Sequence, residues 1–244
     1  LSSTTQSQAE ISRLAEDVLA ELELVLAKLR TIEQFAGAAE AAQFVTETAR
    51  RAFAQRVQLF AALRPVVAKY GVKPGQTILI HGQFIRPDQV QALKSLGIFP
   101  SLFPMHTFYW GDWYKQIVGP EQAALISPMR SILNTGLHAT SHTDAPVALP
   151  NLMQVVWATV NRTSRSGTVI GPDERVTPYE AIKMITLWGA EQFGEQATKG
   201  SLEAGKLADL VVLSANPLTV DPMTINQIQV LETIKEGKLV WARK

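Results

Sequence analysis

The sequence predicts an α/β fold in three stretches: a helical segment over residues 1–70, about three strand–helix units over 71–199, and short strands over 200–244. Three observations lead there. Residues 1–70 hold one Gly, one Pro and no His, and the texture changes abruptly from Gly71. Between Thr77 and Thr140 short apolar runs alternate with helical patterns, which is how parallel α/β architecture reads. Beyond residue 200 the runs are short and separated by turn residues.

The elements follow in order. Ser7 and Glu10 form a capping-box start. Apolar residues then recur at Ile11, Leu14, Val18, Leu22, Val25, Leu29 and Ile32, one stripe along a helix. Gly37 breaks it. A second stripe, Val45, Ala49, Phe53, Val57 and Phe60, ends before Pro65, so a pair of antiparallel helices is expected. Such a pair serves packing, or acts as an arm through which copies of the chain associate. Thr77 to Ile80 reads as a buried strand, Pro87 to Leu96 as a helix and Ile98 to Leu102 as a second strand. Pro120 to Leu133 is helical and Leu137 to Thr140 a third strand. Helices follow at about 150–163 and 178–193, the latter with Thr177 as N-cap, Pro178 at the first position and Glu180 closing the box. Ala208 to Leu213 is a strand, Asn216-Pro217 a turn, and Val230–Ile234 with Lys238–Trp241 a hairpin about Glu236-Gly237.

Composition narrows the partners. The chain has 244 residues, 46% of them hydrophobic, enough for a sizeable core. A net charge of +1 without a basic stripe argues against nucleic acid. The absence of cysteine excludes disulfides, zinc-thiolate sites and thiol nucleophiles. No apolar run approaches the roughly 20 residues that cross a bilayer, so no membrane partner is expected and a cytoplasmic location is. The chain opens on Leu1 rather than Met, which is read as removal of a signal, a longer N-terminal region or an expression boundary.

The candidate chemistry lies after residue 71. Asp144, in Ser141-His142-Thr143-Asp144-Ala145-Pro146, falls where a strand stops and a Pro-containing loop begins. A carboxylate there can bind a metal ion or accept a proton from metal-bound water; equally, it can cap the next turn. His81 ends the first strand in the same way, either as a metal ligand or as a hydrogen-bonded structural residue. His106, Tyr109, Trp110 and Trp113 belong to a dense aromatic loop over Phe103–Trp113, which either walls a substrate pocket or pins the loop. His142, two residues before Asp144, shares its face if the strand continues and is placed to support the site from behind. His138 falls inside the third strand as a structural residue. Arg162, Arg165 and Arg175 follow a helix, and either contact an anionic group or lie at a solvated helix end.

These motifs, together with Ile80-His81-Gly82-Gln83, Gly171 to Ala181 and Gly200 to Leu213, resemble the C-terminal stretch of the amidohydrolase superfamily over about residues 72–243. The similar branch is the amidohydrolase type 3 group of TIM-barrel metal-dependent hydrolases, which includes N-substituted formamide deformylase. The resemblance implies the C-terminal part of a (β/α)8 barrel followed by strands of a small β-domain. It implies one or two divalent metal ions, zinc by preference, and hydrolysis of non-peptide carbon–nitrogen bonds of small amide-type substrates. His81 matches the ligand at the end of the sixth barrel strand, and Asp144 the eighth-strand ligand that also shuttles the proton. The aromatic residues His106, Tyr109, Trp110 and Trp113, with His142, fall to the substrate side; Asp209 matches a structural position. The chain departs from the pattern in having no His-x-His and no His before residue 81. The alternative expectation is therefore a catalytically incomplete remnant that serves as a binding or oligomerisation module.

Overall fold

A computed structural model describes residues 59–71 and 77–244. The chain divides into two compact units, 1–59 and 60–244. The paired stripes before residue 59, and with them the proposed association arm, lie outside the described residues. Helix α1 occupies 59–70 and runs through Pro65 rather than ending before it. Phe60 is buried, with Leu63 and Val67 packed on the same core. This burial at steps of three and four holds the helix across the proline, which forfeits one backbone hydrogen bond.

Strand β1 (Ile78–His81), helix α2 (Pro87–Leu96), strand β2 (Phe99–Leu102), helices α3 (Met105–Ile117), α4 (Pro120–Ala124) and α5 (Met129–Asn134), and strand β3 (Thr140–Ser141) follow. The three strands are parallel in the order β1-β2-β3, with His81 opposite Leu102 and Leu102 opposite Ser141. This is a partial barrel of βα units, as the sequence predicts. Each crossover carries a helix, as parallel pairing requires. Helix α2 has Pro87 at its first position and stops on Gly97 in the left-handed region, φ 61°.

Four expectations need correction. The strand at Thr77–Ile80 is not buried: Ile80 is 54% exposed, because β1 is an edge of the described sheet. The aromatic stretch is not a loop but helix α3, entered through Pro104. Its glycine is a packing residue, since a Cβ at Gly111 would stand 2.8 Å from Ile170 Cγ1. The helix expected over Pro120–Leu133 is split into α4 and α5 where Ser127 (φ 47°) and Pro128 turn the chain. The helix expected over 178–193 is likewise split, into α7 (Pro178–Ile185) and α8 (Leu187–Gln192). Thr186 leaves helical geometry at the junction while its hydroxyl donates to Ile182 O at 2.7 Å.

The core gathers Leu93, Leu102, Phe103, Met129, Ile132, Val156, Met184 and Ile225, all fully buried. Helix α6 (Leu152–Asn161) is nearly all buried, and its Asn151 cap accepts from Gln154 N. It is tied to the turn at Pro222–Gln227 by Trp157 Nε1, which donates to Met223 O at 3.0 Å, and by Asn161 Nδ2, which donates to Pro222 O at 2.9 Å. The Thr177–Glu180 capping box opens α7. Strands β4 (Leu210–Leu213), β5 (Val230–Lys235) and β6 (Lys238–Ala242) form an antiparallel sheet, and the expected hairpin closes on Glu236-Gly237. Asp209 Oδ1 accepts the Glu236 N–H at 2.9 Å, a structural use of that carboxylate. Among the described residues no helix is long and apolar enough to cross a membrane.

Candidate metal centre

The C-terminal ends of β1, β2 and β3 meet at one place. Parallel neighbours lie about 4.8 Å apart, so β1 and β3 are separated by roughly twice that. Imidazoles reaching inward from both outer strands close the gap above β2. His81 Nδ1 and His142 Nε2 are 2.9 Å apart and hydrogen-bonded. Ser101 Oγ, on β2, is hydrogen-bonded to His142 Nδ1 at 2.9 Å, and His142 N donates to Leu102 O at 3.0 Å. His142 is thus fixed through its backbone and through the ring nitrogen that faces away from His81. Asp144 follows, its Oδ2 3.8 Å from His81 Nε2.

Both His81 and Asp144 have left-handed backbones, with φ 65° and φ 52°. Non-glycine residues are uncommon there, and such strain gathers at functional sites. The turns aim both side chains back over the strand ends. One donor atom each from His81, His142 and Asp144 lies within 4.8 Å of the others.

The surroundings are apolar. The fully buried Phe103 ring lies parallel to His142, 2° between planes and 5.5 Å between centroids. It also meets His106 at 4.6 Å and His81 at 5.7 Å. Burial, with the neighbouring His81 charge, pushes the His142 imidazole down to about 4, against a weaker opposing pull from Asp144. Burial, aided by His81 and His142, pushes His106 down to about 3. Both rings are therefore neutral at physiological pH, the form that ligates metals.

The residue types suit a divalent ion such as zinc. Zinc takes imidazole nitrogen and carboxylate oxygen at about 2.0–2.2 Å, which sets tetrahedral donor atoms roughly 3.4 Å apart. The two short contacts use different His81 nitrogens, Nδ1 at 2.9 Å from His142 and Nε2 at 3.8 Å from Asp144; with one donor atom taken from each residue, the three lie within 4.8 Å of one another. The Ser101 contact supplies the outer hydrogen bond that metal-binding histidines characteristically make. A further nitrogen stands close by: His106 Nδ1 is buried with no hydrogen-bond partner.

The sequence-derived candidates are distributed unevenly. His81, His142 and Asp144 come together, and His106 joins them edge-on to His81 at 5.9 Å. Trp110 reaches this group through His106 at 5.7 Å. Tyr109 touches Trp110 at 5.4 Å and Phe108 at 5.0 Å. Trp113 packs on Tyr114 and is 36% exposed. His138 stands apart and precedes β3 rather than lying inside it, stacked on Trp188 at 4.6 Å and bonded to Glu191 at 2.6 Å. Arg162 meets neither expectation: it is fully buried and donates to four backbone carbonyls. Sequence reasoning missed Ser101, Phe103 and Ser127. The available signal was a serine within β2 and a phenylalanine immediately after it, two residues apart where a strand's alternation would set them on one side.

Donors gathered at the C-terminal ends of parallel strands, with helices on the crossovers, are the arrangement found at the active sites of α/β barrels. The chain belongs to the amidohydrolase family, whose model matches residues 27–241. It is similar to N-substituted formamide deformylase of Arthrobacter pascens, 32% identical over 166 residues, 68% of this chain and 31% of that protein. The fold resembles that of a metal-dependent hydrolase from Pyrococcus horikoshii (TM-score 0.57, 20% identity, covering 75% of this chain and 38% of that one). It also resembles an adenosine deaminase from Xanthomonas campestris solved with bound zinc (TM-score 0.51, 17% identity, covering 74% and 43%). The chain spans about a third of the length of the curated relatives it matches.

Proposed function

We propose that this chain carries the metal-binding strand ends of a hydrolase acting on non-peptide carbon–nitrogen bonds, such as those of amides or formamides. One observation carries the reading: His81, His142 and Asp144 each direct a donor atom into one space within 4.8 Å. A divalent ion, zinc by preference, supplies Lewis acidity and a water of lowered pKa when bound there. His81 and His142 would hold it through imidazole nitrogens, with His142 oriented by Ser101. Asp144 would share the ligation, and its carboxylate would take the proton given up by the attacking water and pass it to the leaving nitrogen. His106, Tyr109, Trp110 and Trp113 form the aromatic side against which a small amide-type substrate rests.

The similarity to a formamide deformylase supports a formamide as the first substrate to try. The test is a zinc titration of the metal-free chain, followed by assay of N-substituted formamides. Near-stoichiometric zinc and turnover are expected. A chain that takes up no zinc and hydrolyses nothing with zinc added overturns the reading, in favour of a non-catalytic module that binds a partner or a second copy.

A further inference from the structure

We propose that Arg162 and Ser127 are positioning residues for the His81–His142–Asp144 centre and act on it through Phe103. The inference rests on that centre being a metal site. Arg162 closes helix α6 in the left-handed region, φ 51°, and is 0% exposed. Its Nε donates to Ile170 O at 2.8 Å, Nη1 to Ser127 O at 3.0 Å, and Nη2 to Ile126 O at 2.7 Å and Ala124 O at 3.2 Å. Every one of these acceptors is an uncharged carbonyl. A guanidinium held wholly inside a protein loses its hydration, and here backbone carbonyls alone replace it. What this clamp secures is the 124–127 segment between α4 and α5.

The consequence is felt at Ser127. Its backbone is held at φ 47°, a conformation a serine rarely takes unaided. In that posture the buried Oγ donates to Phe103 O at 3.0 Å. The same carbonyl accepts the His106 N–H at 3.2 Å. Phe103 follows the last residue of β2, where the chain turns into α3. Pinning its carbonyl sets the direction in which its ring projects, and that ring is the surface shared by His142, His106 and His81. The path from Arg162 to the imidazoles is therefore continuous: guanidinium, Ser127 carbonyl, Ser127 hydroxyl, Phe103 carbonyl, Phe103 ring.

A purely structural clamp and a positioning relay predict different results. The full chain is compared with Ser127→Gly, which removes the hydroxyl while keeping the left-handed backbone accessible, and with Arg162→Lys and Phe103→Leu. Thr177→Ala, which removes a helix cap outside the relay, is the control for loss of stability. Zinc affinity is measured by chelator competition at a temperature where each variant retains wild-type circular dichroism. In the metal-free protein, the ring-proton resonances of His142 report directly on the stacked Phe103. Ser127→Gly, Arg162→Lys and Phe103→Leu are each expected to weaken zinc binding about tenfold or more, the usual range for groups that orient metal ligands. All three are expected to shift the His142 resonances, and Thr177→Ala to do neither. Wild-type affinity and unmoved His142 resonances in Ser127→Gly would overturn the relay. A wild-type chain that binds no zinc, while Ser127→Gly still moves His142, would sink the metal reading and leave the positioning role standing.

Discussion

His81 Nδ1 stands 2.9 Å from His142 Nε2, although the two are 61 positions apart in sequence and a whole strand lies between them. Neither residue reaches the other through its own hairpin or helix. The contact exists because β1 and β3 flank β2 in parallel, so their C-terminal ends open on the same side. Asp144 enters the same space two residues later. Each member of this group has a separate, testable share in it.

Asp144→Asn removes the negative charge and the proton acceptor while preserving shape. Asparagine tolerates the left-handed backbone better than most residues, so folding stability should stay within about 0.5 kcal/mol of wild type. Turnover should vanish and bound zinc fall, as read by formamide assay and metal analysis. An Asn variant with wild-type turnover would remove Asp144 from its role.

His81 separates function from stability. His81→Ala and His81→Gly should both lose metal affinity. With φ at 65°, however, the glycine variant relieves a strain that alanine retains. His81→Gly is expected to be the more stable of the two by about 1 kcal/mol in urea unfolding. The reverse order would show that the backbone at this position is not strained.

Gly171 should not accept a side chain. Its φ is 60°, and a Cβ would stand 2.3 Å from Ala124 O, the carbonyl to which Arg162 also donates. Gly171→Ala is expected to destabilise by more than about 2 kcal/mol. Thermal melting measures it, and a variant with an unchanged midpoint would contradict the close approach.

The Arg130–Glu180 pair gives a pH signature. Arg130 donates to both Glu180 oxygens, at 2.9 and 2.6 Å, joining α5 to α7. These bonds, with those from Thr177, hold the Glu180 carboxyl at about 2, against an ordinary 4.5. Below pH 4.5 the unfolded chain takes up the proton first. The stabilisation is therefore complete above that pH and is lost as pH falls toward 2. Arg130→Met should cost about 1–2 kcal/mol at neutral pH, allowing for partial exposure. The difference from wild type should shrink toward pH 2. A penalty independent of pH would assign the effect to packing.

Local signals made much of this chain legible. The Thr177 cap, the Pro87 start and the turn at Glu236-Gly237 depend on neighbours in sequence, and they lie where the pattern places them. The aromatic stretch was harder. The stretch over Phe103–Trp113 reads as a loop, yet most of it is a helix that Pro104 opens and in which Gly111 packs against Ile170. Arg162 was the least legible, since nothing in its surroundings along the chain announces that four distant carbonyls converge on it.

Sequence alone therefore determined the strand–helix alternation, the family and the strand-end placement of His81 and Asp144, because each is written in short-range pattern or motif. Tertiary structure alone decided that His142 joins them, that Ser101 and Phe103 orient it, and that a buried arginine braces the turn behind. Those contacts depend on parallel strand order and on which side chains share a face. Such relations cross 40 or 60 residues at a time, and residue spacing carries no record of them.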